Sequence, residues 1–101
     1  MHFGIVLWKE DKTPEAGELQ HWLETEGFMV MRWSDPPGAT YQPHSHGHDE
    51  SIWVYRGQIN FIVEDQTYPL KAGDRLFLPK NTMHAALVPK EGHAEYLIGQ
   101  K

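Results

Sequence analysis

Four side chains able to hold a metal ion stand at regular spacing in the segment Pro43-His44-Ser45-His46-Gly47-His48-Asp49-Glu50 and, downstream, at His84. Successive side chains of a strand alternate faces, so His44 and His46 can grip one ion together. Gly47-His48-Asp49 reads as a tight turn that starts the next antiparallel strand at Glu50 and lays its carboxylate beside the two imidazoles. One hairpin would then carry three ligands. Imidazole nitrogen and carboxylate oxygen bind borderline-soft to hard divalent ions at roughly 2.0–2.2 Å, and His44, His46, Glu50 and His84 would leave room in an octahedral shell for water or substrate. The chain has no cysteine, so thiolate ligands and disulfides are excluded.

Glycines and prolines frame these residues. Gly38 precedes His44 by six positions and Gly57 follows Glu50 by seven, giving G-x5-H-x-H-x3-E-x6-G; Gly73, Pro79, Asn81 and His84 then give G-x5-P-x-N-x2-H. The two blocks, fifteen residues apart, resemble the paired motifs of the cupin superfamily and its compact single-domain members. The second block departs at Asn81, where Gly is commoner, and at Val88, where the family often has Asn. The resemblance covers about residues 28–98. It implies an all-β fold, a jelly-roll β-barrel. His44, His46, Glu50 and His84 match the family's metal ligands one by one.

These residues must be positioned by the rest of the chain. A short apolar run, Ile5-Val6-Leu7-Trp8, precedes an expected helix starting at Thr13, with Thr as N-cap, Pro14 in the first turn and Gly27 ending it in a left-handed turn. Ala16, Leu19, Trp22 and Leu23 form its apolar stripe. From Phe28 the pattern is strand-like: 28–33, 40–46, 50–55, 58–64, 67–70, 75–78, 84–88 and 94–98, separated by turns such as Asp35-Pro36-Pro37-Gly38 and Arg56-Gly57. We expect one domain over residues 1–101, with an N-terminal strand and helix extension (1–27) before the barrel (28–98).

Taking the ligands as inward, parity sends Thr40, Gln42, Ile52, Val54, Ala86 and Val88 into the same cavity, a small apolar pocket behind a polar cluster. Trp53, Tyr55 and Tyr41 fall on the opposite face, Trp53 and Tyr55 to be covered by the helix or by a second subunit, which makes a homodimer the expected state. His48 falls in the turn at the cavity mouth, where it can act as a base beside Glu50. His2, His21 and His93 carry no spacing argument and read as surface residues.

The chain has 101 residues, enough for one core, since about 65% of the unfolded surface is buried at this size. Its net charge of -5 and lack of a basic run argue against nucleic acid as a partner. No apolar stretch approaches a membrane span and no signal peptide is recognised, so a cytoplasmic protein is expected. No phosphate-cradling glycine loop or nucleophilic cysteine is present. The function expected is a mononuclear enzyme of dioxygenase, isomerase or lyase type, using one divalent Fe, Mn, Ni, Cu or Zn per subunit on a small oxygenated metabolite. Glu50 and His48 are its candidate catalytic groups. The alternative is a non-catalytic module that binds a small molecule or a metal.

Overall fold

The computed structural model describes all 101 residues. Eight strands and one helix follow in the order β1 (Gly4–Val6), α1 (Ala16–Thr25), β2 (Met29–Asp35), β3 (Thr40–His44), β4 (Glu50–Val63), β5 (Gln66–Lys71), β6 (Arg75–Leu78), β7 (His84–Leu87) and β8 (Ala94–Gln100). Two of the expected strands are a single one. Arg56-Gly57 is not a turn, because a bulge between Val54 and Arg56 and the left-handed Gly57 (φ 77°) bend β4 without ending it.

That bend lets β4 serve two sheets. Its first half pairs with β6 and β8, giving the order β1-β6-β4-β8-β2, and its second half pairs with β5 and β7, giving β5-β4-β7-β3. All pairings are antiparallel. The turn from β4 to β5 is a two-residue hairpin, Glu64-Asp65, with φ of 51° and 66°, values whose twist matches that of the flanking strands. The mostly β chain fits a jelly roll. No backbone ladder joins the edge strands β2 and β3, so the hydrogen-bonded sheet stays open there, and side chains link them instead: the Trp33 Nε1–H donates to the Tyr41 hydroxyl at 3.0 Å.

Between the two sheets lies a core of Ile52, Val54, Ile59, Phe61, Val63, Leu70, Leu76, Leu78, Ala86, Val88, Ala94 and Tyr96. A smaller cluster, Leu19, Leu23, Phe28 and Leu97, seats α1 on the outer face, with Trp53 and Tyr55 packed against it. The helix therefore covers these two aromatics, and they no longer argue for a partner. It begins later than expected. Glu15, extended at φ -110°, precedes its first residue and no side chain caps it, so Thr13 and Pro14 stand outside the helix. Its end is as expected: Gly27 is left-handed (φ 93°), and the Phe28 N–H reaches back to the Leu23 carbonyl. Arg75 fastens that end to the sheet, donating to both Glu26 carboxylate oxygens (3.1 and 2.7 Å) and to Ser51 Oγ (2.7 Å). The resulting ion pair holds the Glu26 carboxyl below the usual carboxylate range. No helix is long and apolar enough to cross a membrane.

Candidate metal centre and cavity

The expected hairpin does not form. β3 pairs with β7, and the start of β4 lies in the other sheet, paired with β6 and β8. His44 and His84 are instead cross-strand neighbours on β3 and β7, and His46 and His48 follow on the loop that crosses from one sheet to the other. That loop is pinned at both ends. Asp49 exchanges backbone hydrogen bonds with Lys101 (2.9 and 3.1 Å), its carboxylate accepts the Lys80 N–H (2.8 Å), and the His46 carbonyl accepts the Asn81 N–H (2.7 Å). Asn81 has φ 64°, a left-handed conformation open to Asn as well as Gly, so the departure from the commoner glycine preserves the local backbone.

Donor atoms of His44, His46 and His84 lie within 4.8 Å of one another, and so do those of His46, His48 and Glu50; His46 belongs to both groups. Ring centroids are 4.4 Å apart for His44–His84, 4.9 Å for His44–His46 and 5.4 Å for His46–His84. The Nδ1 of His44 is 2.6 Å from the Gln42 carbonyl and that of His84 is 2.9 Å from the Thr82 carbonyl. A carbonyl only accepts, so in the neutral rings both Nδ1 atoms carry the proton and each Nε2 keeps its lone pair free. Carbonyls placed this way fix the tautomer and orientation of metal-binding histidines. The buried Glu50 meets a different imidazole on each oxygen: His46 Nε2 lies 3.7 Å from Oε1 and His48 Nε2 lies 3.4 Å from Oε2, to which Gln100 Nε2 also donates (3.4 Å). The His46 and His48 rings are stacked, 5.2 Å apart at 20°.

This donor set suits a divalent ion. Neutral imidazoles converging with their lone pairs free need a cation or proton donors between them, and nitrogen with carboxylate oxygen suits Fe, Mn, Ni, Cu or Zn. Burial is the main reason that His84 resists protonation, its pKa lying below the ordinary value, with His44 and His46 adding to the effect. A ring kept neutral is a ring ready to ligate.

The histidines open on a cavity of about 220 Å³ walled largely by apolar side chains, among them Ile52, Ile59, Phe61, Ala86 and Ile98. Parity holds on most strands: Tyr96, Ile98 and Gln100 share one face of β8, and His84 and Ala86 one face of β7. On β4 the lining changes from even (Glu50, Ile52) to odd positions (Ile59, Phe61), as a one-residue bulge requires. Val54 and Val88 are buried in the core without lining the cavity. The expectations for β3 fail for a similar reason. The register shifts between Tyr41 and His44, so Tyr41 turns inward with His44 while Thr40 and Gln42 stay exposed.

Tyr41 brings a polar cluster that sequence reading missed. Asp35, buried at the end of β2, accepts the Tyr41 hydroxyl at 2.5 Å and the Trp33 N–H at 3.1 Å on Oδ1, and the Tyr96 hydroxyl at 2.5 Å on Oδ2. Burial first, and Asp35 second, push both tyrosine pKa values above the ordinary value. Met31, Trp33 and Asp35 alternate along β2, a signal concealed by reading Asp35 as part of the following turn.

A family model described as a cupin domain matches residues 31–98. The pectin degradation protein KdgF of Dickeya dadantii (strain 3937) is 32% identical over an alignment of 73 positions that covers 62% of this chain and 66% of that protein. The solved structure of KdgF from a Halomonas species is 26% identical with a TM-score of 0.56, over 71% of this chain and 69% of that one. A cupin protein structure from Bacteroides fragilis is 24% identical with a TM-score of 0.64, over 73% and 64% respectively. The chain thus spans just under two thirds of the length of the first of these relatives and of the Bacteroides protein.

Proposed function

Since the chain belongs to the cupin domain family, we propose that it is a metal-dependent enzyme acting on a small oxygenated metabolite, with His44, His46, His84 and Glu50 as ligands of one divalent ion. The observation that carries this reading is the pair of Nδ1–carbonyl contacts at His44 and His84, which leaves two Nε2 lone pairs facing an apolar cavity. Such an ion supplies Lewis acidity or redox chemistry to a bound oxygen ligand. The protein's own groups do the rest. The apolar walls exclude water and limit the substrate to a small molecule. His48, on the Glu50 oxygen away from His46, is placed to take or return a proton there, and Gln100 holds that oxygen in position.

The relative's part in pectin degradation supports a hydroxylated carbohydrate fragment as the substrate class, ahead of dioxygenase substrates such as diketones or flavonols. A homodimer remains part of the proposal. It rests on β2, an edge strand whose Met29, Met31 and Trp33 are exposed, and no longer on Trp53 and Tyr55.

The test is to strip the protein of metal and reload Fe(II), Mn(II), Ni(II), Cu(II) and Zn(II) separately. Each form is screened on sugar acids, 2-oxo acids and diketones for product and oxygen uptake. Turnover that depends on the ion and is lost in Glu50→Gln supports the reading. Undiminished turnover in the stripped protein contradicts it, and silence with every ion favours the non-catalytic binding module.

A further inference from the structure

The cavity has two polar ends with an apolar wall between them. One is the histidine cluster, and the other is the set of Trp33, Tyr41 and Tyr96 gathered round Asp35 on β2, β3 and β8. The second end takes no part in the proposed metal chemistry, and its bonding decides what it can recognise.

Every proton of the cluster points at Asp35. Tyr41 and Tyr96 each donate to the carboxylate at 2.5 Å, and the Trp33 N–H is shared between Asp35 Oδ1 (3.1 Å) and the Tyr41 oxygen (3.0 Å). A phenol has one proton and two lone pairs, so Tyr41, after accepting from Trp33, keeps one lone pair and no donor. Both tyrosines stay protonated, because burial and Asp35 raise their pKa values. Tyr96 is buried, whereas the Trp33–Tyr41 contact lies in the exposed part of the cluster. Tyr41 is therefore the member that a ligand can reach, and it offers an acceptor backed by a carboxylate. No Lys or Arg lines the cavity, so nothing there would neutralise a phosphate or a second carboxylate.

Resting on the metal-dependent reading above, we infer that Tyr41 is a specificity-determining residue, whose oxygen accepts a hydrogen bond from a hydroxyl at the end of the ligand remote from its metal-binding oxygen. Tyr41 and His44 stand three positions apart on β3 and both line the same small cavity, so one small ligand can meet both ends. The ligand class is a short chain chelating at one end and hydroxylated at the other.

The probes are 5-hydroxy-2-oxopentanoate and 2-oxopentanoate, which share the chelating end and differ in the remote hydroxyl. Their affinities are measured by calorimetry on the Zn(II)- and Ni(II)-loaded protein, with metal content determined on each sample. We expect the hydroxylated probe to bind about tenfold more tightly, the effect of one net hydrogen bond. In Tyr41→Phe the preference falls to about one, while metal content and affinity for 2-oxopentanoate are retained. Equal affinities in the unmodified protein overturn the inference without recourse to any variant. A preference that persists in Tyr41→Phe, or no binding of either probe to protein holding one ion per chain, also overturns it. Failure to load metal at all contradicts the ligand assignment itself, and metal content tells the two failures apart.

Discussion

Replacing Gly57 by alanine should cost about 3–4 kcal/mol of folding stability. Gly57 sits at φ 77°, where an L side chain costs about 1 kcal/mol or more. The added Cβ would lie 1.9 Å from the His93 carbonyl oxygen against an ordinary contact of 3.4–4 Å, so the strands must part by about 1.5 Å. That carbonyl accepts the Gln58 N–H at 2.9 Å, and losing the bond leaves a donor unsatisfied, for about 1–3 kcal/mol. Gly57↔Ala94 is also the last rung of the β4–β8 ladder, next to the fully buried Ala94. For a chain of this size the loss corresponds to a Tm lower by about 15–25 °C. Urea unfolding in the presence of a chelator, so that metal binding adds nothing, is the assay. Gly92→Ala is the control, because its Cβ would meet no atom within 4 Å, and it should shift stability by less than about 0.5 kcal/mol. A loss below about 1 kcal/mol in Gly57→Ala would refute the claim that this glycine holds the bend by which β4 serves both sheets.

Three further outcomes are expected. His84 titrates below its unfolded value of about 6.5, so the unfolded chain binds the proton more readily. Its contribution to stability is therefore lost as pH falls from about 6.5 through the lower folded pKa, and nothing is lost above that window. Metal release should begin below about pH 6, and chelator-treated and metal-loaded samples melted across pH 4–8 will show both effects; unchanged melting over that range would contradict them. Arg75→Met should destabilise by about 1–2 kcal/mol, mainly because the fully buried Ser51 loses its donor while water can solvate the exposed Glu26, and denaturant titration reads this directly. Light scattering at micromolar concentration should give about 23 kDa, twice the 11.7 kDa of the chain, and Met29→Glu, at an exposed position of β2 that does not line the cavity, should return it to the monomer mass.

The strands and the histidine cluster were legible in the sequence because period-two alternation and glycine-punctuated ligand spacing are local signals. The eight strand-like segments and the short apolar run map onto the eight observed strands, with two of them fused in β4. Pairing was not local. The H-x-H-x3-E spacing looks like a hairpin, yet His44 meets His84 across β3 and β7 while Glu50 approaches from the other sheet, a partnership set by the bent β4. Two bulges hid the remainder. The register shift after Tyr41 and the one after Val54 each reverse parity, so simple alternation sends Tyr41 outward and gives no sign that Ile59 and Phe61 line the cavity. Asp35 reads as the start of a Pro-Pro-Gly turn, and the clustering of Trp33, Tyr41 and Tyr96 around its carboxylate is a tertiary fact.

The central claim is that His44, His46, Glu50 and His84 hold one ion. Its most direct test is metal analysis by mass spectrometry on protein purified without a histidine tag, with His44→Ala, His46→Ala and His84→Ala measured beside it. We predict about one divalent transition-metal ion per chain in the unmodified protein and a large loss in each variant, accompanied by a lower Tm that added metal no longer raises. Metal content unchanged across the three variants would contradict the account.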